Sequence, residues 1–137
     1  MSELTRFSVS LDKELLDKFD GQIESDRYPT RSKAIADLIR SKIVAREWVG
    51  DGEVAGAIII VYDHHKHGLT NSLTSVQHEY YKLIISSQHV HLDHDNCLEI
   101  VVVKGDAREI EALARALKVI KGVKHSSLSM ATTGTSI

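Results

Sequence analysis

Eight histidines and one cysteine are the side chains of this 137-residue protein best suited to binding a metal. Four of those histidines, His78, His89, His91 and His94, and the cysteine, Cys97, fall within QHEYYKLIISSQHVHLDHDNCLEI (Gln77–Ile100). A strand places residues i and i+2 on one face, so His89 and His91 share a side and Val90 and Leu92 are expected to turn the other way, into a core. DHDN is a turn sequence, and the apolar run CLEIVVVKG after it reads as a second strand. A hairpin closed around His94 sets Cys97 opposite His91 and Glu99 opposite His89. Opposed residues have Cβ atoms about 4.5–5.5 Å apart, so two imidazoles and a thiol gather beside a carboxylate. A plain hairpin with a buried structural thiol is the alternative, but two histidines facing a core are costly unless satisfied. Metal ligation is the better reading. Imidazole and thiolate donors suit zinc, copper or nickel, with a tetrahedron favouring zinc and a plane favouring Ni(II) or Cu(II). Glu99 either orients a ligand or faces solvent; the sequence weighs the two evenly.

The elements that must position these residues can be read around them. Val54–Asp63 predicts a strand, and Leu69–Ser87 a helix whose apolar stripe is Leu69, Leu73, Val76, Tyr80, Leu83 and Ile84. At about 100° per residue, His78 lies opposite Val76 and Tyr80, on the side of Tyr81, Lys82 and Ile85, as a subunit contact would require. Asp106 and Glu109 resemble a capping box opening a helix over Asp106–Lys121, with Gly122 at its end and a strand over Val123–Thr132. The order over residues 53–132 is therefore β-α-β-β-α-β, the ferredoxin-like arrangement. His64, His65 and His67 in DHHKHG read as a solvated loop in preference to a secondary metal site, and His94 and His125 as structural or exposed.

Residues 1–50 have a different habit. LTRFSVSL alternates Phe7, Val9 and Leu11 with Arg6, Ser8 and Ser10. Asp12 caps a helix carrying Leu15, Leu16, Phe19 and Ile23, and Thr30 caps another carrying Ala34, Ile35, Leu38, Ile39 and Ile43. One strand and two helices make too thin a core, so this unit is expected to pair with a second chain through an antiparallel ribbon. Residues 27–46 hold six Lys or Arg against Asp37 alone, a modest signal for DNA, since such a face is more often merely solvated.

Composition bounds the rest. Hydrophobic residues at 42% and charged residues at 26% describe a globular chain, and the net charge of −2 is not that of a strongly basic nucleic-acid binder. One cysteine excludes an intrachain disulfide and suits a reducing compartment. The sequence shows no secretory leader pattern and no apolar run long enough to span a bilayer; a cytoplasmic location is expected.

Together, the polar-faced strand RFSVS, the helix start TRSKAI, the spacing of His78, His89, His91 and Cys97, and CLEIVVVKGD resemble NikR, the nickel-responsive ribbon-helix-helix regulators. The likeness covers nearly the whole chain. It implies an α+β protein with a ribbon-helix-helix DNA-binding domain over 1–50 and a ferredoxin-like (ACT-like) metal-binding and tetramerisation domain over 53–132. It further implies a homotetramer, a dimer of dimers, with Ni(2+) held by His89, His91 and Cys97 of one chain and His78 of another. Metal-loaded members of the family repress nickel-uptake genes by binding a palindromic operator in double-stranded DNA. The ribbon face Arg6, Ser8 and Ser10 would meet base edges, with Ser where the family more often has Thr. Thr30, Arg31 and Ser32 would hold a phosphate at a helix start. An interdomain cation site of the family maps onto Lys33 and Asp37, where Lys33 replaces an acid, so that an ammonium stands in for the cation or abolishes the site. Two rivals come from other classes. One is a zinc hydrolase with Glu99 as base; the other is a regulator using the ferredoxin-like domain as a small-molecule pocket.

Overall fold

The computed structural model describes residues 3–137, which separate into two compact units, one reaching to Arg40 and the other spanning Ser41–Ile137. In the first, helix α1 (Lys13–Ser25) begins where the Asp12 carboxylate accepts the backbone N–H groups of Glu14 and Leu15. Helix α2 (Arg31–Glu47) begins where Thr30 Oγ1 accepts the Lys33 N–H at 3.1 Å. Each cap satisfies donors that a helix start leaves without a partner. The Arg31 guanidinium forks onto Asp20 at 2.8 and 2.6 Å, holding that carboxyl below its ordinary range.

Those caps order a unit that cannot cover its own apolar surface. No residue of α1 is buried, and Phe7, Leu15, Leu38 and Ile39 are 70%, 56%, 60% and 51% exposed. The strand expected over residues 4–11 is not formed, as Glu3–Asp12 carry no strand assignment. A strand exists only by hydrogen bonding to a neighbour, and one chain supplies none here.

The second unit contains β1 (Glu53–Asp63), α3 (Leu69–Glu79), β2 (Ile84–His91), β3 (Asn96–Asp106), α4 (Ala107–Lys118) and β4 (Val123–Met130). The strands form one antiparallel sheet in the order β2-β3-β1-β4, as the ferredoxin-like reading requires. Alternation along the strands builds the core. Val54, Ile58, Ile60 and Tyr62 of β1 and Val101 and Val103 of β3 are buried with Leu69 and Leu73 of α3 and Ile110, Leu113 and Leu117 of α4. Fully burying one such aliphatic side chain stabilises by about 1.5–3 kcal/mol. Among the described residues no helix is long and apolar enough to cross a membrane.

Three boundaries differ from the sequence reading. Helix α3 ends at Glu79 and passes through a 3-10 turn, Tyr81–Leu83, so Ile84–Ser87 lie in β2. Leu83 and Ile84 still pack on the core, which is why they had passed for a continuation of the helical stripe. Helix α4 stops at Lys118, and Gly122, at φ 103°, serves the turn into β4. Strand β4 closes at Met130, after which the Ala131 N–H bonds Ala55 O at 3.0 Å. A fourth correction concerns the hairpin faces. Leu92 is 53% exposed and Val90 only partly covered, whereas Cys97, Val101 and Val103 are buried. The face that carries the histidines is thus continuous with the helix-covered face of the sheet.

Trp48 seals one end of this core. It is 5% exposed, and its indole N–H donates to Ala131 O at 2.8 Å. A methyl at Gly56 would lie 2.5 Å from Ser129 O and 3.3 Å from the Trp48 ring. Gly56→Ala should therefore push β4 and Trp48 apart and cost about 1–3 kcal/mol. Chemical denaturation followed by Trp48 fluorescence checks this; an unchanged midpoint would contradict the close approach.

Candidate metal centre

The β2–β3 hairpin puts the first donors in place. Its register pairs His91 with Cys97 and His89 with Glu99, as a loop centred on His94 requires. The loop is set by Asp93, whose Oδ1 accepts the N–H groups of Asp95 and Asn96 at 2.9 and 2.8 Å. On the other side of β3, strand β1 pairs Tyr62 with Cys97. The cysteine is thus held between two strands at the end of a hydrophobic core.

Cys97 is fully buried, and its Sγ lies 3.3 Å from His91 Nδ1 and 3.3 Å from His64 Nδ1. The ligand atoms of His64, His91 and Cys97 all lie within 4.8 Å of one another. His64 leaves the end of β1, two residues beyond Tyr62, and its N–H donates to Asp95 O at 3.2 Å. Two imidazoles and one thiol converging on a point half covered by protein are donors of the kind that hold a borderline divalent metal. The residues present fit such an ion.

Burial pushes the Cys97 thiol above its ordinary range, and the carboxylates of Asp63, Asp93 and Glu99 push it the same way. A cation arriving at the sulfur relieves both effects, since thiolate ligation removes the proton. Glu99 stands beside this pair in the core at 9% exposure. It accepts the Tyr62 hydroxyl at 3.2 Å and the Gln77 amide N–H at 2.6 Å. Burial, followed by the Glu99 charge, keeps the Tyr62 phenol protonated far above its usual range, so that it stays a donor. Glu99 is therefore a fastened buried carboxylate, not a solvent-facing one. Through Gln77 it ties β3 to the last turn of α3, next to His78.

Of the ligands expected from sequence, His91 and Cys97 are brought together. His89 is exposed, its ring 5.1 Å from that of His91 and 5.9 Å, edge-on, from that of Tyr62. His78 is exposed on α3 and stacks on Tyr81 at 6.4 Å. Neither belongs to a group of close donors among the described residues. His64 was missed. Its placement follows from the Tyr62–Cys97 pairing, because two residues past Tyr62 the chain returns to the same face; the sequence contains β1 and β3 but not their mutual register. Two further groups join Asp63, His64 and His65, and His65, His94 and Asp95, while among the described residues His67 and His125 enter none. In the N-terminal unit Arg6, Ser8, Ser10 and Ser32 are exposed, Thr30 is spent on the cap and Arg31 on Asp20. Lys33 Nζ sits 2.6 Å from Asp37 Oδ1, whose carboxyl also takes the Tyr28 hydroxyl and Arg40 and is held below its ordinary range, Lys33 first.

Comparison with known proteins agrees with this donor chemistry. Residues 55–131 match the family model described as the NikR C terminal nickel binding domain. A Chlorobium phaeobacteroides protein named "Putative nickel-responsive regulator" is 54% identical over 130 residues, covering 95% of this chain and 97% of its own. Proteins of the same name from Syntrophus aciditrophicus and Nitratidesulfovibrio vulgaris are each 53% identical, over 134 and 135 residues, and cover 98% of this chain. An uncharacterized Thermotoga maritima protein of known structure superposes with a TM-score of 0.54 at 17% identity, over 59% of this chain and 100% of its own, a likeness of fold.

In metal-free protein, the rate of Cys97 alkylation should rise with pH along a curve centred above 9.0, the ordinary thiol value. The sign follows from burial favouring the neutral thiol, so the folded chain binds the proton more tightly than the unfolded one. Iodoacetamide labelling followed by mass spectrometry measures it. A midpoint below 9.0 would mean that the thiolate is already stabilised without metal.

Proposed function

Because the chain belongs to the NikR family of nickel-responsive regulators, we propose that it is a metal-sensing repressor of nickel-uptake genes that binds a palindromic operator when loaded with Ni(2+). It regulates and does not catalyse. The observation that carries the reading is the buried Cys97 thiol with the His91 imidazole 3.3 Å away, set by hairpin register at the edge of a core that gains nothing from either polar group unless they ligate. His89, His91 and Cys97 of one chain and His78 of another are the proposed nickel ligands. Bound nickel would supply a single fixed point shared by two chains. His89 and His91 must offer neutral imidazoles and Cys97 must release its proton. Glu99, fastened by Tyr62 and Gln77, acts as a positioning residue that holds the hairpin against the helix end carrying His78. The helical phase that would set Ile85 beside His78 is lost where α3 ends at Glu79, but exposure of His78 and Tyr81, whose rings stack, supports donation across a subunit contact, in a homotetramer built as a dimer of dimers.

The DNA-binding half of the proposal is a ribbon-helix-helix domain over residues 1–50, with the ferredoxin-like, ACT-like domain over 53–132 as the sensor. Its support is the uncovered apolar set Phe7, Val9, Leu11, Leu15, Leu38 and Ile39. A second copy would cover that set, pairing two strands whose Arg6, Ser8 and Ser10 then face a major groove. Helix α2 presents Ser32 at its start for a phosphate, and Arg31 can turn to the same phosphate by leaving Asp20. At Lys33–Asp37 the ammonium already occupies the carboxylate, so the domain requires no inorganic cation there. The protein works in the cytoplasm, where DNA and a reduced thiol coexist.

Two substitutions separate the halves. Arg6→Ala should weaken operator binding by about 1–3 kcal/mol if it holds a guanine through two bonds, with nickel stoichiometry unchanged. Cys97→Ala should abolish tight nickel binding and the nickel-dependent increment of DNA affinity. Footprinting with and without nickel, upstream of genes for metal uptake, together with equilibrium dialysis, reads both. Full nickel response in Cys97→Ala would remove the hairpin as sensor.

A further inference from the structure

Helix α2 (Arg31–Glu47) runs across the boundary between the two units, which falls at Arg40 and Ser41. Its last turn is held by a segment from the far end of the chain. The Trp48 indole N–H donates to Ala131 O at 2.8 Å, and the Thr132 hydroxyl donates to the Glu47 carboxylate, 3.2 Å from each oxygen. Glu47 is an unfavourable residue for its position, because a carboxylate at a helix C-terminus faces the negative end of the macrodipole. Thr132 supplies the donor that offsets this. Its Oγ1 also accepts the Gly134 N–H at 3.1 Å, across a turn in which Gly134 takes φ 84°. One residue earlier, the Ala131 N–H is bonded to Ala55 O of β1. A cavity of about 470 Å³ beside this segment is lined by glycine and by polar side chains, Glu47, Lys104, Thr133 and Thr135 among them. The hold on α2 therefore rests on a few hydrogen bonds, with no apolar seal over them, and can open and close.

We propose that Ala131 and Thr132 form a strap that fastens the end of α2 to the sheet, and that this strap carries the state of the metal centre to the DNA-binding unit. The inference rests on the nickel-sensor reading above, and it adds the route from sensor to output. Cys97 pairs with Tyr62, at the other end of β1 from the strap; at about 3.3 Å per residue, Ala55 and Tyr62 are roughly 23 Å apart. Strand β4 spans that distance. Val123 pairs with Tyr62 and Met130 with Gly56, and the register shifts between Val61 and Tyr62. A change at the thiol thus meets β4 at its irregular end, and the strap is the direct continuation of its other end. Coupling between distant sites needs an element with two arrangements that both sites bias. Strap fastened and strap free are those arrangements: fastened, the end of α2 moves with the sheet; free, it does not.

The test uses the full-length protein. Thr132→Val keeps the side chain's shape and removes its hydroxyl, and Thr132→Ser restores the hydroxyl. Nickel affinity without DNA is measured by equilibrium dialysis, and operator affinity with and without nickel by titration. Thr132→Val should leave nickel affinity unchanged and cut the nickel-dependent gain in operator affinity at least about fivefold, the lower end of typical allosteric couplings. Amide exchange over residues 41–48 should rise at least about tenfold as the helix end opens locally, and Thr132→Ser should behave as wild type. A full nickel-dependent gain in Thr132→Val, or unchanged exchange over 41–48, would overturn the strap; so would a loss that Thr132→Ser shares. A chain ending at Met130 gives a second reading, since Trp48 is the only tryptophan and loses its acceptor. Acrylamide should then quench it more readily, and quenching equal to wild type would also overturn the proposal. A wild type whose operator affinity does not answer to nickel overturns the sensor reading and the coupling role together, and exchange over 41–48 still decides whether the strap holds α2.

Discussion

The register of the β2–β3 hairpin is the constraint on which the rest depends. It pairs His91 with Cys97 and His89 with Glu99, and a slip of one residue would turn His89 and His91 to the face opposite Cys97 and Glu99. Burial of Val101 and Val103 pins the facing of β3, and Asp93 sets β2 against it by closing the turn with two backbone hydrogen bonds. Hydrophobic burial, worth several kcal/mol over those positions, thus fixes the geometry of a polar site that contributes little to folding by itself.

From that hairpin the site extends into the fold along two lines. One runs through β1, which places Tyr62 beside Cys97 and carries His64 to the sulfur. The other runs through Glu99 and Gln77 to the end of α3. A buried carboxylate with two donors is well satisfied, and it makes the last turn of α3 answer to the strand that carries the thiol. The chain then presents His78 outward with Tyr81, and the N-terminal unit presents an apolar set of its own. Both surfaces are incomplete in one chain, and both are completed by another copy in the proposed tetramer.

How much of this was legible beforehand can be traced through particular residues. The hairpin pairing followed from period-two alternation and a turn-rich DHDN, both local. The caps at Asp12, Thr30 and Asp106 were equally local, and each is formed. The βαββαβ order followed from the sequence of element types. Non-local facts were hidden. That His64 joins Cys97 depends on the β1–β3 register, which no short stretch encodes, and its loop composition pointed to solvent. The orientation of Leu92 was misassigned because an apolar residue at a strand end passes for core, and the end of α3 was overrun because Leu83 stays buried and Ile84 still packs on the core after the helix stops. Glu99 was undecided for the same reason: its partners, Tyr62 and Gln77, come from other elements. The strand over residues 4–11 is not formed, since nothing within the single chain pairs with it.

The central claim, that sensing is shared between chains, is tested most directly by mixing two variants that are each unable to form the nickel site. His78→Ala chains still offer His89, His91 and Cys97, and Cys97→Ala chains still offer His78. Co-refolded into mixed tetramers, facing chains of the two kinds rebuild one whole site, and thiolate-to-nickel absorption should return in a fraction of sites although neither variant shows it alone. If mixed tetramers form and no such absorption returns, His78 serves its own chain or none, and the route from metal through quaternary structure to DNA is contradicted.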